Sequence, residues 1–496
     1  MVSTESDSIA SHPITGHDPV FEMIERFYED HHEGLERSRR RHRYYYDGLT
    51  RIIRSRIPAR SSILDVGCGA GHILLALNPH HGVGIDASAR AIASAREAAG
   101  DRNLHFFQGD ATDPDLLSRI GGPFDVILLV NVVTQLTDVQ AAFESLRSVC
   151  HSRTRLLLYS YSRIWQPILR LAELLRIKHP TPPESWLPPE EVRHMLALAD
   201  YEIVRKEYQM VWPGNIPGLS DRINRYIGHL PGIEWLSLIY GIMARPASHR
   251  FPGSRASRPS TSVIIPCCNE AGHIPELVES LPDLGPNSEF IFVEGNSTDD
   301  TEDVVRRAVE ENQARSFRFL KQTGKGKGDA VRLGFSQARG EVLVILDSDL
   351  SVSPKDIPRF IGLLSKGKGE LINGSRMVYP MEGRAMRFLN LLANKCFAWL
   401  FTWLLGQQVR DTLCGTKALY REDYEHIAAS RAYFGDFDPF GDFDLLFGAS
   451  RLNMRIVDVA VRYHERRYGR TNISRFRHGW LLLRMSFLAA RKLKFV

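Results

Sequence analysis

At 496 residues the chain is too long for one ordinary core, so two or three domains are expected, and its 43% hydrophobic and 24% charged content are those of a soluble globular protein. A net charge of +5 is too small at this length to argue for nucleic acid, and six cysteines without CxxC or zinc-type spacing speak against a disulfide framework. Met1 to Pro19 is polar, lacks the basic-then-apolar form of a signal peptide and reads as a disordered tail over 1–19, which points to the cytoplasm. From Val20 to Ile57 helical patterns follow. They carry the basic run Arg37 to Arg43 and then Tyr44, Tyr45 and Tyr46, a pattern open to nucleic-acid binding but better read as a charged helix face with packed tyrosines.

At Ser62 the pattern changes to Ile63-Leu64-Asp65-Val66-Gly67-Cys68-Gly69-Ala70-Gly71, a strand, a Gly-rich turn and a helix start. Glycines permit close backbone approach to a ligand whose negative groups suit the helix N-terminus. A second strand, Gly82 to Ile85, ends at Asp86, where an acid can hold ribose hydroxyls. A third, His105 to Gln108, precedes Asp110, and Phe124 to Val130 leads to Asn131. Strands followed by helices with acids after successive strands resemble the class I methyltransferases that use S-adenosylmethionine. The resemblance implies a Rossmann-like domain over 20–245, with Asp65, Gly67, Gly69 and Gly71 by the methionine part, Asp86 on the ribose, Asp110 near the adenine and Asn131 in the cofactor site. NAD is the competing ligand, but Gly-Cys-Gly-Ala-Gly is not the Gly-x-Gly-x-x-Gly of the dinucleotide fingerprint. The methyl acceptor is not legible. Tyr44 to Tyr46, Trp165 and Trp186 are candidates by location only, and an S-adenosylmethionine site kept for structure or regulation stays open.

Residues 246–261, rich in Pro, Ser, Gly and Arg without periodicity, read as a linker. Beyond it Ser262 to Pro266 forms a strand leading to Cys267-Cys268-Asn269-Glu270, Glu289 to Val293 a strand ending at Glu294, and Gly324 to Asp329 a Gly-Lys-rich loop. The apolar run Val342 to Leu346 then ends in Asp347-Ser348-Asp349. Two carboxylates beyond a buried parallel strand suit Mg²⁺ or Mn²⁺ shared with substrate phosphates, although alone they could be a solvated turn.

This order resembles the family 2 glycosyltransferases of GT-A fold, and among them those that glycosylate polyprenyl phosphates. The resemblance covers 262–472 and implies an α/β nucleotide-sugar-binding domain in which Asp347 and Asp349 hold a divalent metal on the donor diphosphate. By the same resemblance Pro266, Glu270 and Glu294 belong to the substrate site, with Glu294 at the nucleoside, Lys325 and Lys327 in the loop that closes on it, and Lys417 beside an acceptor phosphate. Arg466 and Arg467 are the expected diphosphate contacts, with surface pairing to Glu465 as their alternative. Asp442 or Asp444 is the candidate general base. Whether one is needed depends on the acceptor, since a phosphate monoester, with a second pKa near ~6, is already largely ionised. Gly295 stands where many members carry a second Asp, and Ser351 where dolichol-phosphate mannose synthases carry Gln, so neither the base nor mannose is specified.

Phe388 to Leu405 is strongly apolar, with Asn390, Asn394, Ala398 and Thr402 at i+4 spacing. That suits a helix lying in the bilayer interface, or a buried core helix, better than a spanning one. The tail 473–496 holds six basic residues and no acid among Trp480, Leu481 to Leu483 and Phe487, and reads as a basic amphipathic helix on a peripheral membrane surface, while Arg484 argues against spanning. The expectation is a bifunctional enzyme at the cytoplasmic face of the plasma membrane, coupling methyl transfer to inverting, metal-dependent sugar transfer from a nucleotide sugar to a lipid-linked phosphate. The rival from another class is a membrane-bound scaffold that binds nucleotides without turnover.

Overall fold

The computed structural model describes residues 19–182, 186–247, 258–379, 388–431, 441–465, 468 and 475–495. Of the expected tail only Pro19 is among them, at the head of a helix. Of the expected linker, positions 248–257 lie outside the described residues, and strands reach one residue into it at either end.

Two helices, Pro19–Arg41 and Arg43–Arg56, precede a sheet formed by β1 (Ser62–Val66), β2 (His81–Asp86), β3 (Leu104–Gln108), β4 (Phe124–Val130), β5 (Cys150–Tyr161), β6 (Tyr201–Gln209) and β7 (Ile239–Pro246). Its order is β3-β2-β1-β4-β5-β7-β6. β1 runs parallel to β2 and β4, β2 parallel to β3, and β6 antiparallel to β7. A second sheet holds β8 (Thr261–Cys267), β9 (Glu289–Glu294), β10 (Phe317–Lys321), β11 (Val342–Ile345), β12 (Leu371–Ser375), β13 (Lys417–Tyr420) and β14 (Ile456–Ala460), in the order β10-β9-β8-β11-β13-β12-β14. β13 is antiparallel to both its neighbours and the other neighbouring pairs are parallel.

The apolar runs make sense as strands covered on both faces. In β8 and β11, Val263, Ile265, Val342 and Val344 enter one core, and Ile264, Leu343 and Ile345 enter the opposite one. Each sheet reverses its strand order beside its first strand, between β1 and β4 and between β8 and β11. In open α/β sheets that is where a crevice opens at the strands' carboxyl ends.

The chain forms two compact units, one running to Thr50 with Arg60–Cys150 and Leu157–Ala199, the other of Arg51–Ala59, His151–Leu156 and the chain from Asp200. The sequence reading closes its first domain at 245, whereas β6 and β7 side with the second unit. Buried ion pairs within that unit account for this. Glu207 takes Arg56 and Arg205, each at 2.8 Å, and Glu370 takes Arg155 at 2.5 Å and Arg245 at 3.4 Å. Hydrophobic periodicity carries no trace of such pairs.

The helix Phe388–Leu405 sets Phe401, Leu404 and Leu405 in the core. Asn394 and Thr402 of its polar stripe point inward, and the side chain of Asn390 lies outside the described residues. The Asn394 amide donates to Asp411 Oδ1 at 3.1 Å and Thr402 Oγ1 accepts from Val409 N at 3.1 Å, because the buried Asp411 and Val409 need polar partners there. The tail forms a helix, Arg475–Ala489, that packs Leu482, Met485 and Ala489 into the same core and leaves Trp480, Leu483 and Phe487 exposed. Among the described residues no helix is long and apolar enough to cross a membrane.

Asp411 is the electrostatic centre of this region. Fully buried, it accepts from Arg376 Nε at 2.7 Å and Nη2 at 2.9 Å, and from the Leu413 amide at 3.1 Å. Burial alone would raise its carboxyl, but the Arg376 guanidinium and these donors outweigh it and hold the carboxyl down at about 2. Its contribution to stability is therefore present above the unfolded value near 3.8 and lost as pH falls through about 2. Asp411→Asn leaves Arg376 buried without its anion and should cost about 3–5 kcal/mol at neutral pH, read as a lower urea midpoint.

Candidate functional sites

In the first unit, β1 delivers its chain into a turn whose Gly67 and Gly71 have φ of +72° and +73°. A β-carbon at Gly67 would overlap Val132, and one at Gly71 would stand 2.8 Å from the Phe106 ring, so neither position accepts a larger residue. Asp86, ending β2, accepts the Gly69 amide at 2.7 Å and the Ser88 amide at 3.0 Å. Gly67, Gly69, Asp86, Asp110 and Asn131 line one cavity of about 310 Å³. Asp65 and Gly71 lie outside its lining, although the neighbours of both belong to it.

Asp65 is 1% exposed and its Oδ2 has no hydrogen-bond partner. Burial first, and the Asp86 charge second, push its carboxyl up to about 8. Asn131, at φ +55°, donates from Nδ2 to the Tyr45 hydroxyl at 3.0 Å and leaves its own Oδ1 buried without a partner. These unsatisfied acceptors at the strand ends, with the glycine cradle between them, fit a ligand that carries a cationic amine and hydroxyl groups. Asp65 would hold the amine, and Asp86 and Asp110 the polar groups of a nucleoside.

The helix Pro19–Arg41 contributes to this cavity, and beyond its basic run sequence reasoning did not single out Tyr28, Glu29 or Glu36. Glu29 accepts from Ser88 Oγ and from the Arg90 amide, both at 3.0 Å, Tyr28 bonds Gln135, and Glu36 pairs with His72 at 2.8 Å. The hydrogen bond from His72 holds the Glu36 carboxyl below its ordinary range. The helix buries no residue, and its polar pairs to residues far along the chain leave no periodic signal in the sequence. Tyr46 and Tyr161 also line the cavity. Tyr45 is buried, Trp186 stacks on Tyr161 at 5.7 Å, and Trp165 is not in the lining.

In the second unit, β11 ends beside Asp347, whose Oδ1 takes Lys327 Nζ at 2.5 Å. A β-carbon at Gly415 would overlap both Asp347 and Lys327, so that glycine permits the close approach of its loop. Asp349 is nearly buried and accepts the Ser351 amide at 3.0 Å, while Ser348 Oγ donates to the Pro266 carbonyl at 2.9 Å. Glu294, ending β9, accepts the Ser297 amide at 2.6 Å and keeps Oε2 buried without a partner. Glu270 bonds His273 at 2.6 Å, and the far ring nitrogen of His273 accepts the Tyr468 amide at 3.0 Å. Lys325 is exposed.

Two expected residues stand differently from the sequence reading, and the side chains of three more lie outside what the structure describes. Lys417 is fully buried on β13, donating to the Cys414 carbonyl at 2.5 Å, so its ammonium braces the loop that was expected to flank an acceptor phosphate. Asp444 is held by Arg431 at 2.7 Å, a pairing that opposes its use as a proton acceptor. Arg466 and Arg467, together with the side chain of Asp442, lie outside the described residues. Among the described residues no group of three or more His, Cys, Asp or Glu could enclose a metal. Asp347 and Asp349 supply two hard oxygen donors, and Asp347 already faces a cation, which fits an ion completed by a ligand's phosphates.

Comparison with known proteins places a methyltransferase domain model on residues 58–199 and the family 2 glycosyl transferase model on residues 262–427. The chain joins these two domains. The chain is similar to glycosyltransferase AglD of Haloferax volcanii, 27% identical over 45% of this chain and 36% of that protein. It is also similar to the undecaprenyl-phosphate 4-deoxy-4-formamido-L-arabinose transferase of an Enterobacter strain, 25% identical over 43% of this chain and 62% of that one. The chain thus spans between about a third and three fifths of the curated relatives it matches. Among solved structures, a Thermotoga maritima protein described as an SAM-dependent methyltransferase aligns at TM-score 0.35, 16% identical over 45% of this chain and 99% of that one. Glucosyl-3-phosphoglycerate synthase of Mycobacterium tuberculosis aligns at 0.35, 22% identical over 47% of this chain and 80% of that one.

Proposed function

We propose that the chain is a bifunctional enzyme whose glycosyltransferase domain moves a sugar from a nucleotide sugar to a polyprenyl phosphate, with inversion, and whose methyltransferase domain uses S-adenosylmethionine. The observation that carries the first half is Asp347 and Asp349 beyond the end of β11, at the same sheet edge as the orphaned Glu294 oxygen. Glu294 Oε2 accepts an N–H or O–H of the nucleoside, and the two aspartates hold Mg²⁺ or Mn²⁺. When bound, such an ion neutralises charge growing on a nucleoside diphosphate as the glycosidic bond breaks. Lys327, already at Asp347, keeps a second positive charge there. The Arg431–Asp444 pair favours an acceptor that needs no base, such as a lipid phosphate, and the undecaprenyl-phosphate transferases among the curated relatives are named for an acceptor of that class.

Exposed Trp480 (72%), Leu483 and Phe487 with Arg484 and Arg491 on the tail, and Leu392 and Trp399 on Phe388–Leu405, support peripheral attachment at an anionic cytoplasmic membrane face. The test is a thermal-shift screen of UDP-, GDP- and TDP-sugars with Mn²⁺, followed by incubation of the stabilising donor with undecaprenyl phosphate. A glycosylated lipid phosphate is the expected product. Stabilisation by no nucleotide sugar would overturn the reading.

A further inference from the structure

We propose that the helix Gln166–Leu174 and its flanking turns are a membrane-docking surface belonging to the methyltransferase domain, and that the methyl acceptor is a lipid-anchored molecule met at an anionic bilayer. The inference rests on the methyltransferase reading above. The helix has no buried residue. Ile164, Ile168, Leu171 and Leu175 recur at i, i+4, i+7 and i+11 and are all exposed, as are Leu174 at 79% and Ile177. A water-facing apolar stripe of this length is the reverse of what a globular surface helix presents. Fourteen residues from Ile164 to Ile177 are too few to span a bilayer but enough to lie in its interface.

Charge selects the occupant. Arg163, Arg170 and Arg176 are exposed around the stripe, and the one acid from Tyr161 to Pro180, Glu173, is half-buried and bonded by Lys178 and Thr181. The face therefore offers cations without a competing free anion, as anionic headgroups require. A second copy would bring the same three arginines against each other.

The chain also ties this surface to the cavity. Tyr161, just before the segment, and Lys178, His179 and Thr181, just after it, line the cavity that holds Asp86 and Asn131. Seating the helix in a headgroup layer brings that cavity wall to the lipid, where an anchored acceptor is presented.

Hydrogen exchange on the full chain tests the docking, with phosphatidylcholine vesicles with and without phosphatidylglycerol. Amides over 163–177 should exchange about tenfold more slowly with the anionic vesicles, and Ile168→Asp/Leu171→Asp should abolish that slowing without changing S-adenosylmethionine affinity by calorimetry. Unchanged exchange there, whether or not the protein sediments with vesicles, overturns the proposal. So does slowing that appears without vesicles as protein concentration rises, which would mark a second copy as the occupant. The acceptor arm supplies methyl-labelled S-adenosylmethionine and a lipid extract of the source cells. Label should enter the chloroform-soluble fraction and fall about tenfold in the double variant, whereas label confined to water-soluble products overturns the lipid acceptor. Failure of the unaltered chain to bind S-adenosylmethionine would instead remove the underlying reading, and the exchange experiment does not depend on it.

Discussion

Asp349→Asn is expected to lower sugar transfer by about 10²- to 10⁴-fold while leaving the fold intact. A divalent ion at a departing diphosphate is worth several kcal/mol of barrier, and each 1.36 kcal/mol is about tenfold in rate. Asn keeps an oxygen that accepts the Ser351 amide, so the turn that follows β11 retains that hydrogen bond while the negative charge is removed. The melting temperature should shift by no more than about 2–4 °C. Mn²⁺ titration of donor binding separates the effects, because the variant should need far more metal for half-saturation while S-adenosylmethionine affinity stays unchanged. Full transfer by the variant, or by the unaltered chain in excess chelator, would remove Asp349 from the metal site. Gly415→Ala is a geometric counterpart. It leaves both carboxylates in place but forces the Asp347–Lys327 pair apart, and should also depress transfer.

What the sequence carried, and what it did not, follows from the range of the interactions involved. Strands β1, β8 and β11 were legible because a strand buried on both faces is largely apolar, and Asp65, Asp347 and Asp349 because a carboxylate interrupting or following such a run has few other uses. The inward turn of Asn394 and Thr402 was not legible. An i+4 polar stripe looks the same whether it meets water or a buried loop, and only Asp411 and Val409, outside the helix, decide which. Lys417 and Asp444 belong to the same class. Each sits in a motif that resembles a ligand contact, yet its charge is engaged by the Cys414 carbonyl or by Arg431. The cover that Pro19–Arg41 lays on the first cavity rests on polar pairs such as Glu36–His72, and separations of that kind leave no periodic signature.

Asp65→Asn should move stability and cofactor affinity in opposite directions. The Asp65 carboxyl is buried, has one oxygen unpartnered and stands at about 8 against an ordinary 3.8. The folded chain therefore binds a proton there that the unfolded chain has released across this interval, so this contribution to stability is full below about 3.8 and is lost as pH rises through about 8. The unliganded protein should weaken as pH climbs through that window, and the Asn variant, which has nothing to ionise, should lose the dependence and melt about 2–8 °C higher near pH 9. Affinity should fall instead. Removing one member of a buried charge pair costs about 2–5 kcal/mol, so S-adenosylmethionine should bind at least about 30-fold more weakly, measured by calorimetry. Loss of both stability and affinity would mean that Asp65 has a native partner in the unliganded fold, and a gain in stability with affinity unchanged would move the amine-binding role to another residue. The predicted opposition arises because an acid held without a cation destabilises the empty site by the same electrostatics that bind a cation into it.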